Sequence, residues 1–208
     1  MKLSTAPYSS SSRRVTMTLL HLGLSAEQNL IDLRNPSHRA ALTALNPNSK
    51  IPVLEDGDFV LWESHAIMQY LCGQAAAQTL YPSEPRARAD VDRWTYWNAA
   101  HLSPVVGTIS FERLWKKVVT GGDPDPKIVE RYEAMFRQSA GILDRHLQDR
   151  SWISGSAVTL ADFSIASTLM YARPARLPIE PYQHLVAYLG RIASLDAWKQ
   201  TEPPPMAW

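Results

Sequence analysis

The sequence predicts an α+β chain in two parts, a mixed β-sheet packed with helices followed by an all-helical half. Three observations predict it. Short strand-like and helix-like runs alternate up to about residue 75, helical periodicity alone governs the chain from about residue 86, and AAAQTLYPSEP, ending in two prolines, separates the two regimes. The expected division is therefore 1–76, a linker at 77–86, and 87–208.

The first part reads element by element. MKLSTA is a strand, and Val15, Leu19 and Leu22 mark one face of a helix that stops near Gly23. NLIDL is a second strand and SHRAALTAL a short helix. IPVLEDGDFVLWE holds two strands joined at Asp56-Gly57, a strong hairpin signal, and SHAIMQYL closes the unit as a helix. The order β-α-β-α-β-β-α requires a sheet with both parallel and antiparallel pairs.

In the second part, RARADVDRWTYWNAAHLSPVV places Trp94, Trp97, His101 and Val105 on one helical face, with Pro104 set to bend or end that helix. A long helix is expected over Lys127–Leu147, burying Ile128, Tyr132, Met135, Phe136, Ile142 and Leu143. Before it, TGGDPDP is a loop. In SAVTLADFSIA, Thr159 caps a helix, Asp162 reaches back to it, and Val158 and Phe163 stand at the hydrophobic-staple positions. Asp162 is read as a folding device.

Composition narrows the function classes. Six basic residues face six acidic ones through residue 80, and fifteen face fourteen afterwards, so no basic stripe points to nucleic acid. No apolar run approaches the roughly 18 residues of a membrane span, and MKLSTAP is too short and polar for a signal sequence, so a cytoplasmic location is expected. The single cysteine, Cys72, rules out an internal disulfide and a CxxC pair, and its apolar setting, IMQYLC, makes it a buried, inert thiol.

The stretches NPNSKIPVLEDGDFVLWESHAI, SSSSRRV and SGSAVTLADFSIA together resemble the cytosolic glutathione transferases, in the right order and over nearly the whole chain. The match is to the serine-type theta, delta and phi classes. The resemblance implies a thioredoxin-like βαβαββα domain, an all-α C-terminal bundle, a homodimer, glutathione as co-substrate, a small apolar electrophile and no metal.

It also assigns residues. The bond before Pro52 is implied to be cis, turning the backbone of Ile51 toward the ligand's cysteine as in strand addition. Glu63 and Ser64 would hold the γ-glutamyl end at a helix start that suits an anion. His65 stands where several relatives carry arginine for carboxylate binding. Lys50 and His38 are placed for the glycine carboxylate. Trp97, His101, Phe111, Trp115, Tyr171 and Trp208 are candidates for the apolar substrate site, with Trp208 folding back from the tail.

The thiol-activating group is expected in YSSSSRRV. Alignment on the helix start puts Ser9 at that position, with Ser10 and Ser11 as neighbours able to substitute, Tyr8 a further alternative, and Ser12 as the helix cap. The hydroxyl need not attack anything; it donates to the glutathione sulfur. Besides conjugation, the same groups would serve a glutathione-dependent peroxidase. The rival class is a non-catalytic, ligand-binding or scaffolding dimer, which would be expected to lose the hydroxyl or the Glu63-Ser64 pair.

Overall fold

The computed structural model describes residues 1–205, so Trp208 lies outside the described residues. Strands β1 (Lys2–Thr5), β2 (Glu27–Leu30), β3 (Val53–Asp56) and β4 (Phe59–Trp62) form one sheet in the order β2-β1-β3-β4. β1 runs parallel to β2 and antiparallel to β3, and β3 is antiparallel to β4. The parallel pair needs a crossover, which α1 (Ser10–His21) supplies. α2 (Pro36–Leu45) and α3 (Ser64–Gln74) complete the expected order.

Alternation along β3 explains how both faces are covered. Val53 packs with Leu42 of α2 and with Ile31, whereas the next residue, Leu54, points the other way and stands opposite Leu3. On that second face α1 and α3 pack together, burying Val15, Leu19, Ile67, Met68 and Leu71. In the hairpin, Gly57 and Asp58 are the turn and Asp56 pairs with Phe59; Gly57, at φ 62, takes the first central position, where glycine meets no Cβ penalty.

The second strand differs from the expected NLIDL. It ends at Leu30, because Asp32 Oδ1 accepts from the backbone N–H of Arg34 and turns the chain.

Among the described residues there are two compact units: Met1–Tyr81 with residues 195–205, and Pro82–Ser194. This places the final helix, α10 (Asp196–Gln200), with the sheet unit rather than with the helical domain expected over 87–208. The reason lies on α1: the Arg13 guanidinium stacks 3.6 Å from the Trp198 ring and donates to Trp198 O and Thr201 Oγ1.

The helical unit contains α4 (Pro85–Trp97), α5 (Ser103–Ser110), α6 (Lys116–Thr120), α7 (Pro126–His146), α8 (Leu160–Thr168) and α9 (Gln183–Ser194). Pro104 does not end the first helix. A wide π-turn over Asn98–Leu102 carries the chain from α4 into α5, so the proline falls in the first turn of α5, where its missing N–H costs little. That wide turn also rotates the apolar stripe: Asn98 and Leu102 continue the buried line from Trp94, and His101 is exposed.

On α7 the buried face is Phe136, Ser139, Ala140 and Leu143. Met135 and Ile142, expected inside, are 40% and 39% exposed, and Ile128 and Tyr132 are half-buried. Ser139 and Ala140 bring that face close to its neighbours, which sequence hydrophobicity undervalues.

α8 is buried on every side, as befits a central helix. Its start carries the expected capping box. Asp162 accepts from the Thr159 N–H at 2.8 Å, from the Thr159 hydroxyl at 3.0 Å and from the Ile153 N–H at 2.8 Å. Burial pushes the Asp162 carboxyl up to about 6, against the pull of these hydrogen bonds. Among the described residues no helix is long and apolar enough to cross a membrane.

Candidate functional site

Topology gathers the site before any side chain is considered. β1 ends opposite the start of β3, with Ser4 facing Val53, and β4 ends there too, with Trp62 facing Val53. The loop after β1, the Ile51-Pro52 bend and the Glu63-Ser64 junction therefore open at one end of the sheet.

Ser9 is the N-cap of α1, with extended backbone, and its Oγ accepts from the Ser12 N–H at 3.1 Å. This reverses the expected assignment of the cap to Ser12, which is buried in the first turn. The geometry suits the chemistry. A hydroxyl that accepts through a lone pair keeps its proton for another acceptor, and the accepted bond strengthens it as a donor. Ser10 and Ser11 are half-buried residues of the same turn.

The Ile51–Pro52 bond is cis, as the resemblance implies, and leads into β3. Asn46 holds this bend; sequence reading did not single it out. Almost fully buried at the end of α2, it donates from Nδ2 to the Lys50 carbonyl at 2.7 Å and accepts from the Asn48 N–H. The Lys50 side chain is exposed. His38, half-buried on α2, accepts at Nδ1 from the Asp32 N–H at 3.1 Å, which makes Nε2 its donor.

Glu63 precedes α3 at φ 72, a conformation that disfavours side chains, and its own side chain does not cap the helix. Ser64 is thus the first residue of α3 and not its cap, and it is buried.

His65 is placed against Arg14, with Nε2 at 2.6 Å from Nη1. Burial first, and the Arg14 cation second, push its imidazole down to about 3, so it brings no positive charge to a ligand carboxylate at neutral pH. Arg14, from the RRV of the serine loop, is the second residue missed, because a charged side chain at a helix start reads as solvated. It is fully buried and pushed down to about 10, still a cation at pH 7.

A pH dependence follows. The unfolded histidine takes up a proton below 6.5 and the folded one does not until about 3, so stability falls as pH drops across that window, by up to about 1.4 kcal/mol per unit. His65→Gln is expected to remove that share of the slope in urea melts taken between pH 7 and pH 4.

The substrate-site candidates form two groups within the helical unit. Trp97 lies between Trp94, at 5.4 Å, and His101, at 6.3 Å; Trp115 meets the buried Tyr171 edge-on at 5.8 Å. Phe111 is 39% exposed in a second π-turn, Phe111–Trp115. Cys72 is buried, which pushes its thiol up to about 12 and leaves it inert.

A four-stranded mixed sheet with a cis-proline bend and a strained helix start defines a thioredoxin-like unit, here joined in one chain to a helical one. Comparison with known proteins places the chain further. A family model described as the glutathione S-transferase N-terminal domain matches residues 8–74, and one described as its C-terminal domain matches residues 126–191. Glutathione S-transferase 3 of Zea mays is 31% identical, over 99% of this chain and 96% of its own. Glutathione S-transferase theta-2B of Homo sapiens is 31% identical over 87% of this chain and 75% of its own. The solved structure of glutathione S-transferase III in apo form has a TM-score of 0.85 at 28% identity, covering 99% of this chain and 98% of that one. The chain belongs to the glutathione S-transferase family.

Proposed function

We propose that this enzyme conjugates glutathione to small apolar electrophiles, with the Ser9 hydroxyl donating to the glutathione thiolate. The observation that carries the reading is Ser9 itself: an N-cap whose oxygen is engaged by the Ser12 N–H while its proton remains available, at the end of the sheet where the cis-proline bend and the α3 start also open.

The energetics are adequate. A free thiol has a pKa of about 8–9 and is mostly protonated at neutral pH. Lowering it by about two units takes roughly 2.7 kcal/mol. One hydrogen bond to a charged group contributes about 1.5–3 kcal/mol, and the α1 N-terminus adds to it. Thiolate stabilisation and proximity then account for the rate.

In this reading Ile51 presents its backbone to the ligand cysteine, Glu63 takes the γ-glutamyl ammonium, and the α3 N-terminus at Ser64 takes its carboxylate. Lys50 and His38 Nε2 serve the glycine carboxylate. Phe111, Trp115 and Tyr171 are the apolar side chains assigned to the electrophile. Exposed Phe59, Val60 and Trp62 on β4, an edge strand, favour a homodimer, as apolar edge strands are usually covered. Glutathione titrated into wild type and Glu63→Gln by calorimetry tests the anchor. Loss of the charged partner is expected to weaken binding about tenfold or more; equal affinities would remove Glu63 from the site.

A further inference from the structure

The proposed site has two anchors on different helices, Ser9 at the start of α1 and Glu63-Ser64 at the start of α3. Between those helices lies a buried cation. Arg14 is five residues after Ser9 on α1, is 2% exposed, and reaches His65, the residue directly after the Glu63-Ser64 pair. Arginine has no acceptor, so the 2.6 Å contact fixes His65 as the neutral tautomer with its proton on Nδ1 and the Nε2 lone pair facing the guanidinium. The charge that most favours the Arg14 cation is the Glu63 carboxylate.

We propose that Arg14 is a positioning residue of the glutathione site: accepted by His65, the residue after Glu63-Ser64, its guanidinium ties the γ-glutamyl anchor on α3 to the thiol-activating turn of α1. The inference rests on the glutathione reading above and extends it to a pair that touches neither the thiol nor the electrophile. Glu63 at φ 72 needs surroundings that hold it there, and tying the next turn of α3 to α1 through His65 and Arg14 is such a restraint. His65 is one acceptor that helps the cation stay buried, since burying a guanidinium is costly unless its donors are matched.

Steady-state kinetics with varied glutathione and a saturating aryl halide test this in the full chain. His65→Leu removes the acceptor and is expected to raise the KM for glutathione about tenfold or more, with kcat within about threefold. His65→Gln, whose Oε1 accepts from the guanidinium, is expected to restore a KM near wild type. Arg14→Met removes cation and acceptor demand together, and should reproduce the KM rise in a chain whose circular dichroism is native. The proposal is overturned if the Leu and Gln variants have the same KM, or if folded Arg14→Met keeps the wild-type KM. Failure of wild type to bind glutathione in calorimetry would instead remove the glutathione reading itself.

Discussion

Replacing Ser9 by alanine is expected to cut conjugation at pH 6.5 by a factor on the order of 50, with glutathione affinity largely kept. The factor follows from the mechanism. If the bound thiol titrates near 6.5 in wild type and near 8.5 without its donor, the thiolate fraction at pH 6.5 falls from about half to about one in a hundred. The deficit should therefore shrink as pH rises and nearly vanish above about pH 9, where even an unassisted thiol ionises. A pH–rate profile of kcat/KM for Ser9→Ala, Ser10→Ala and Ser11→Ala separates this from a general loss of structure. The cap bond to Ser12 is lost as well, at about 1 kcal/mol of stability, a cost that does not depend on pH in this range. Ser10→Ala or Ser11→Ala showing the pH-dependent deficit instead would transfer the role to that neighbour.

The largest effect on stability is expected at Asp162. Its carboxylate accepts from two buried backbone N–H groups, those of Ile153 and Thr159, and from the Thr159 hydroxyl. Asp162→Ala leaves both N–H groups without a partner inside the helical core. Each orphaned donor costs about 1–3 kcal/mol, so a loss of about 2–6 kcal/mol is expected. At this chain length that lowers the thermal midpoint by roughly 4–24 °C. Activity per folded molecule should be unchanged at low temperature, which distinguishes a folding device from a catalytic carboxylate. Lost activity in a chain of wild-type stability would contradict the assignment.

Asp162 and Arg14 also show why some of this protein is legible in sequence and some is not. Asp162 announces itself because a capping box is local: Thr159, Asp162, Val158 and Phe163 lie within six positions of one another, and the structure assembles them as their spacing requires. The element order β-α-β-α-β-β-α is legible for the same reason, since period and turn residues are properties of short segments. Arg14 is not, because its partner is 51 positions away and nothing near it says that a cation is buried. The π-turn at Asn98–Leu102 has no sequence mark either, and by adding a residue to one turn it moves His101 out of the line of Trp94. The helix cap lies at Ser9, three positions before the expected Ser12, within a run of identical residues where spacing carries no information and only the backbone decides.

In sequence the candidate site rests on the Ile51-Pro52, Glu63-Ser64 and serine-loop motifs. Its internal wiring, Asn46 to Lys50 and Arg14 to His65, depends on which side chains the fold turns inward. Those contacts are long-range or hidden, and no local pattern marks them.

Whether this protein turns glutathione into its thiolate is read by an ultraviolet pH titration of the thiolate absorbance of glutathione bound to the wild-type protein. The expected result is half-ionisation about two pH units below the free thiol, with the shift abolished in Ser9→Ala. A bound thiol that titrates at its free value in the wild-type protein would contradict it.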